Sequence, residues 1–160
     1  MRYGRRMPNA ISEINDCRFL FLADIQELGR NSLKLVVTEG LPVGEPGLIE
    51  VGGVTIPDCV RIDTVEKSRM FELIWDFYIA YSVLNESFTS MSDEEKFEGL
   101  RFRIYSNSYF IDYLSRASFA CDEHPGPTRH YCVACEDHIV NVLSVNPPAV
   151  RRLESALACI

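Results

Sequence analysis

The run from Met70 to Leu84 constrains this chain most. Its fifteen residues, Met-Phe-Glu-Leu-Ile-Trp-Asp-Phe-Tyr-Ile-Ala-Tyr-Ser-Val-Leu, include five aromatics and three Ile or Val residues. Aromatic and β-branched side chains fit a pleated, buried surface, so the run commits the chain to a sheet. It reads as one long central strand, interrupted by Glu72 and Asp76, with a bulge near Asp76.

The flanking segments supply partners. Cys17 to Ile25 is apolar and β-rich, and Leu33 to Thr38 pairs with it across a loop that holds Gly29 and Asn31. Gly40 to Gly47 carries three glycines and two prolines, which predicts irregular chain. Leu48–Val51 and Val54–Ile56 flank Gly52-Gly53, the signature of a tight hairpin. Leu100 to Tyr105 is a further strand, and Ser92-Asp93-Glu94-Glu95 is a helix start or an acidic turn. Asn107 or Ser108 caps a helix over Tyr109–Phe119, whose apolar stripe is Tyr109, Phe110, Tyr113, Leu114 and Ala117. Arg129–Cys135 and Ile139–Val145 form a second hairpin about Glu136-Asp137-His138. Pro147-Pro148 opens a last helix with Val150, Leu153 and Leu157 on one side. The sum is an α+β fold: mostly antiparallel β-sheet, with two helices in the C-terminal half.

At 160 residues the chain is the size of one domain, expected over 16–160 behind a flexible N-terminal arm at 1–15. No apolar run approaches the ~18 residues of a membrane helix. Arg2, Arg5 and Arg6 mimic the start of a signal peptide, but Ser12, Glu13, Asn15 and Asp16 break any apolar stretch behind them. Met7 is an alternative start. The expected location is the cytoplasm, where the six cysteines stay reduced.

The net charge is −7, and −10 once those three N-terminal arginines are discounted. Phosphate binding needs clustered Lys and Arg, so nucleic acid is an unsuitable partner, and so is an anionic membrane. An acidic body suits a basic protein partner. Exposed carboxylates on loops speed capture of such a partner, and the expected contacts are Asp93, Glu94, Glu95, Glu98, Asp122 and Glu123.

Chemistry-bearing patterns are few. Cys132-x-x-Cys135-x-x-His138, with Cys121, His124 and His130 upstream, is the one metal-like arrangement. The pair lies within an expected strand, where residues three apart face opposite sides, so Cys132 and Cys135 would not share an ion. No metal and no cofactor is favoured; a zinc or cysteine enzyme built on Cys132, Cys135 and His138 is the alternative. His130 and Cys132 share a strand face, as a Cys–His nucleophile would, but nothing places Cys132 at a helix start that would stabilise its thiolate. The glycines at 40, 44, 47, 52 and 53 match no phosphate-binding loop.

Trp75-Asp76-Phe77-Tyr78-Ile79-Ala80-Tyr81-Ser82-Val83-Leu84-Asn85-Glu86-Ser87, and Arg129-His130-Tyr131 through His138-Ile139-Val140, resemble small uncharacterised bacterial proteins. The acidic, single-domain, motif-poor chain also resembles immunity proteins, which neutralise a partner toxin. The resemblance implies a non-enzymatic, stoichiometric inhibitor that occludes a toxin's active cleft, and it carries over no functional residue.

Overall fold

Leu33, Leu35 and Val37 alternate with half-buried Lys34 and Val36 and are themselves fully buried. The same period of two places Phe71, Leu73 and Trp75, Tyr131 and Val133, and Val140 and Val142 in the shared core. Rows of this kind line the inner faces of two antiparallel sheets that share one core. A computed structural model describes residues 9–154.

The elements run α1 (Asn9–Asn15), β1 (Phe19–Gly29), β2 (Ser32–Val51), β3 (Val54–Asp63), β4 (Met70–Trp75), β5 (Ala80–Asn85), β6 (Lys96–Glu98), β7 (Phe102–Asn107), α2 (Tyr109–Ala117), β8 (Arg129–Ala134), β9 (His138–Ser144) and β10 (Ala149–Leu153). Sheet I has the order β1-β2-β4-β10, with β3 paired to the far half of β2. Sheet II has the order β5-β9-β8-β7-β6. Across the core Trp75 of sheet I meets Tyr131 of sheet II, with ring centroids 6.2 Å apart. Trp75, Tyr131, Phe71 and Phe102 are the largest fully buried side chains, and burying each contributes roughly 1.5–3 kcal/mol.

The α+β class holds, with mostly antiparallel sheet and two helices, but the helices are not both in the C-terminal half. Residues 9–15, expected to belong to a loose arm, form α1 and bury Ala10, Ile11 and Ile14 in the shared core. A seven-residue helix is too short to persist alone, so this packing sustains it. Asn15 at its end accepts hydrogen bonds from the backbone amides of Leu100, Arg101 and Phe102, tying α1 to the start of β7. Residues 1–8 lie outside the described part.

Three further expectations are corrected. The run Met70–Leu84 is two strands, β4 in sheet I and β5 in sheet II, and residues 76–79 carry the chain between them. Two of their amides are satisfied on the way: Tyr78 N–H donates to Asn31 O and Ile79 N–H to Leu143 O, each at 2.8 Å. Gly40–Gly47 is strand, because β2 runs through it to Val51. Register shifts between Val43 and Gly47 absorb Pro46, which a regular ladder on both sides would not accept. At Gly40 an added Cβ would lie 2.5 Å from the Phe21 ring, so glycine alone fits where β2 leaves the core. Finally, residues 149–153 form β10 on the open edge of β4, with Val150 opposite Leu73. Five ladder pairs there outweigh the few turns of an isolated helix. The remainder of that expected helix, including Leu157, lies outside the described residues.

No helix among the described residues is long and apolar enough to cross a membrane.

Candidate functional site

The outer face of sheet II carries the residues that alternate with its core row. On β8 these are His130, Cys132 and Ala134, opposite Leu143, Asn141 and Ile139 of β9. Tyr105 and Arg103 of β7 stand beside His130 and Cys132, and Ser82 of β5 beside Asn141. Helix α2 lies against this face; its cap Ser108 is buried, and its one buried helical side chain is Leu114. Between the face, the first turns of α2 and the segment 84–95 is a cavity of about 360 Å³.

A hydrogen-bonded relay forms the cavity floor. Asn141 Nδ2 donates to Ser82 Oγ at 3.3 Å, and Asn141 Oδ1 lies 2.9 Å from His130 Nε2. His130 Nδ1 lies 2.8 Å from Ser108 Oγ, which also accepts from the Ile111 amide as the α2 cap. With Asn141 Oδ1 facing the ring, Nε2 carries the proton and the Ser108 hydroxyl donates to Nδ1. Tyr105 stacks on the imidazole at 4.2 Å, and Phe110 closes its other flank at 5.2 Å. Burial pushes the His130 pKa down to about 4, so the ring is neutral at physiological pH.

Serine, histidine and asparagine in a row invite comparison with a nucleophile, its base and the residue that orients it. The chemistry does not follow. Ser108 is 2% exposed, and the Ile111 amide already occupies its oxygen. The relay fastens α2 to the sheet and leaves the cavity floor polar and uncharged.

The expected metal arrangement is split between faces. Cys132 belongs to the small outer cluster with Ala134 and Ile139, whereas Cys135 faces the core shared by the sheets. Burial pushes the Cys132 thiol up to about 12 and the Cys135 thiol above the ordinary range, so neither is a thiolate near neutral pH. His138 is half-exposed at the hairpin turn, its Nδ1 2.9 Å from Asp137 Oδ1 without hydrogen-bond alignment. Among the described residues no three His, Cys, Asp or Glu side chains gather as a metal cluster, and the five described cysteines are free thiols. His130 and Cys132 do share the outer face, but no bond joins them.

The six expected partner contacts occupy different settings. Asp93 and Glu94 are exposed in the turn before β6, and Glu98 is exposed on β6. Glu95 is half-buried and lines the cavity. Glu94 and Glu95 are also tied to α2: the Tyr109 hydroxyl donates to Glu94 Oε2 at 2.8 Å, and the Tyr109 amide to Glu95 Oε1 at 3.1 Å. Asp122 and Glu123 are exposed between α2 and β8. The Glu123 carboxyl is drawn below its ordinary range by its own backbone amide and by Cys121.

The second exposed feature is the β2–β3 arm. Beyond Leu41, β2 pairs with β3 alone. The turn at Gly52 and Gly53 has φ of 57° and 80°, positive at both positions as a type I′ hairpin requires. Cross-strand partners share a face, so Ile49 with Ile56 and Val51 with Val54 make one aliphatic face. All four are 45–61% exposed. Between Pro42 and Val60 the arm carries Glu45, Glu50 and Asp58 and no Lys or Arg.

Sequence reasoning missed both features as sites. The hairpin was legible from Gly-Gly between aliphatic runs, but its length and its bare face were not. His130, Ser108 and Asn141 sit at alternate or capping positions, and their convergence needed the sheet register. No protein-family model, no curated protein and no solved structure matches this chain.

Proposed function

We propose that this chain is a non-enzymatic protein-binding domain whose β2–β3 arm docks on a basic partner. The bare aliphatic face of Ile49, Val51, Val54 and Ile56 carries the reading, because a folded chain rarely leaves four such side chains together in water without a use. Glu45, Glu50 and Asp58 on the same arm, with no Lys or Arg among them, give the arm the sign to meet a cationic surface. Exposed Asp93, Glu98, Asp122 and Glu123 add a diffuse acidic field that speeds encounter. Immunity to a toxin is the concrete form: the arm covers a basic active cleft, its aliphatic face supplies the dry centre, and its acids supply the rim.

Co-expression with the product of the neighbouring gene tests this. A one-to-one complex is expected on size exclusion, and Ile49→Ser with Ile56→Ser should abolish it while the free chain keeps its thermal unfolding midpoint. Elution of the chain alone, or a complex indifferent to both substitutions, sinks the arm as the docking element. A dimer of this chain that the substitutions dissociate would assign the face to a second copy instead.

A further inference from the structure

The outer-face cavity carries an inference independent of the arm. Among the side chains that line it, Arg103 and Glu95 carry the charges, since His130 is neutral. Neither has an ion-pair partner among the described residues. Each is anchored through one atom, and Arg103 also stands beside the Tyr105 hydroxyl. Arg103 Nε donates to Leu100 O at 2.9 Å, and its guanidinium lies over the Phe97 ring, 4.6 Å from the centroid. Glu95 Oε1 accepts the Tyr109 amide, leaving Oε2. Anchoring of this kind fixes a charged group before a ligand arrives, which lowers the ordering cost of binding.

An opposite pair around one cavity discriminates by charge. A simple anion that meets Arg103 also meets Glu95, and a simple cation meets the reverse, so a ligand bearing both signs satisfies both. The rest of the lining mixes aromatic side chains, among them Phe97, Tyr105, Phe110 and Phe88, with aliphatic Leu84, Met91 and Ile139 and with hydroxyls, about the polar floor of Ser82 and Asn141. At about 360 Å³ the cavity stands at the small end of ligand pockets, which run from ~300 to ~1,000 Å³. We propose that this cavity binds a free α-amino acid with an aromatic or large apolar side chain, its carboxylate on Arg103, its ammonium on Glu95, and its side chain against Phe97, Tyr105 and Phe110.

Isothermal titration of the full chain tests the assignment with three compounds that share one ring: L-phenylalanine, 2-phenylethylamine without the carboxylate, and 3-phenylpropionate without the amine. Saturable binding of L-phenylalanine is expected, with Kd between ~1 μM and ~1 mM. Each single-charge compound should bind about tenfold or more weakly. Arg103→Met should bring L-phenylalanine down to the affinity of 2-phenylethylamine, and Glu95→Gln to that of 3-phenylpropionate. Equal affinities for the three compounds would mean an apolar slot without charge recognition and would overturn the proposal. So would absence of L-phenylalanine binding at millimolar concentration. The three-compound comparison uses the unaltered chain, so it stands even where a variant fails to fold.

Discussion

One strand, β2, has two fates. From Ser32 to Gly40 it lies between β1 and β4, and Leu33, Leu35 and Val37 are fully buried. From Gly44 to Val51 it touches β3 alone and every residue is exposed. Both halves are rich in aliphatic side chains, so hydrophobicity does not separate them. Neighbours do: burial requires a second layer, and α1 and sheet II supply one only to the first half. The lesson is that an aliphatic strand signals a face that needs covering, and whether this chain or another covers it is a tertiary matter.

The comparison breaks most visibly under truncation. Trp75→Ala in the shared core should cost ~3–5 kcal/mol, whereas Ile49→Ala in the arm should stay within ~0.5 kcal/mol. Urea unfolding of the two variants measures both. A comparable loss for Ile49→Ala would show that the arm is covered after all.

Next in size is a pH effect on the outer face. His130 has a folded pKa of about 4 against an ordinary 6.5, so below pH 6.5 the unfolded chain binds a proton that the native ring refuses. The contribution is complete above pH 6.5 and is lost as pH falls toward 4, by ~3 kcal/mol at most. Unfolding free energies between pH 7 and 4.5, compared with those of His130→Gln, isolate it. If both proteins weaken in parallel, the loss belongs to other groups.

Asn15→Ala sharpens the view of α1 as part of the core. It removes the acceptor shared by the amides of Leu100, Arg101 and Phe102 and should cost ~1–3 kcal/mol. An unchanged chemical midpoint would return residues 9–15 to the status of a loose arm.

The smallest effect is expected where the change looks largest. Replacing residues 44–58 by a two-residue Asn-Gly turn removes the whole exposed arm, yet stability should move by no more than ~1 kcal/mol, because the buried half of β2 keeps both neighbours. The shortened chain should unfold cooperatively at nearly the same midpoint. A loss of several kcal/mol would place the arm within the folding unit.

Much of the architecture is legible in the residues. β-rich apolar runs bounded by turn residues mark β1, β2, β8 and β9; Gly52-Gly53 marks the arm turn; Ser108 ahead of Tyr109, Phe110, Tyr113 and Leu114 marks α2. Alternation even separates Cys132 from Cys135, which the structure places on opposite faces. The candidate cavity was legible only in fragments. His130 and the acidic turn stand out as residues, but Tyr105, Ser108 and Asn141 come from three elements whose meeting depends on register.

Local chemistry therefore determined most of the strand segments, helix α2 and which side chains need burial, since propensity and periodicity act over a few residues. Partner choice lay beyond it. The break in Met70–Leu84, the capture of residues 149–153 by the open edge of β4, the docking of α1 and the exposure of the β2–β3 arm each turn on which hydrogen-bonding edge or apolar face is left unfilled. That is a property of the assembled sheets, because an edge or a face exists only once its neighbours are in place.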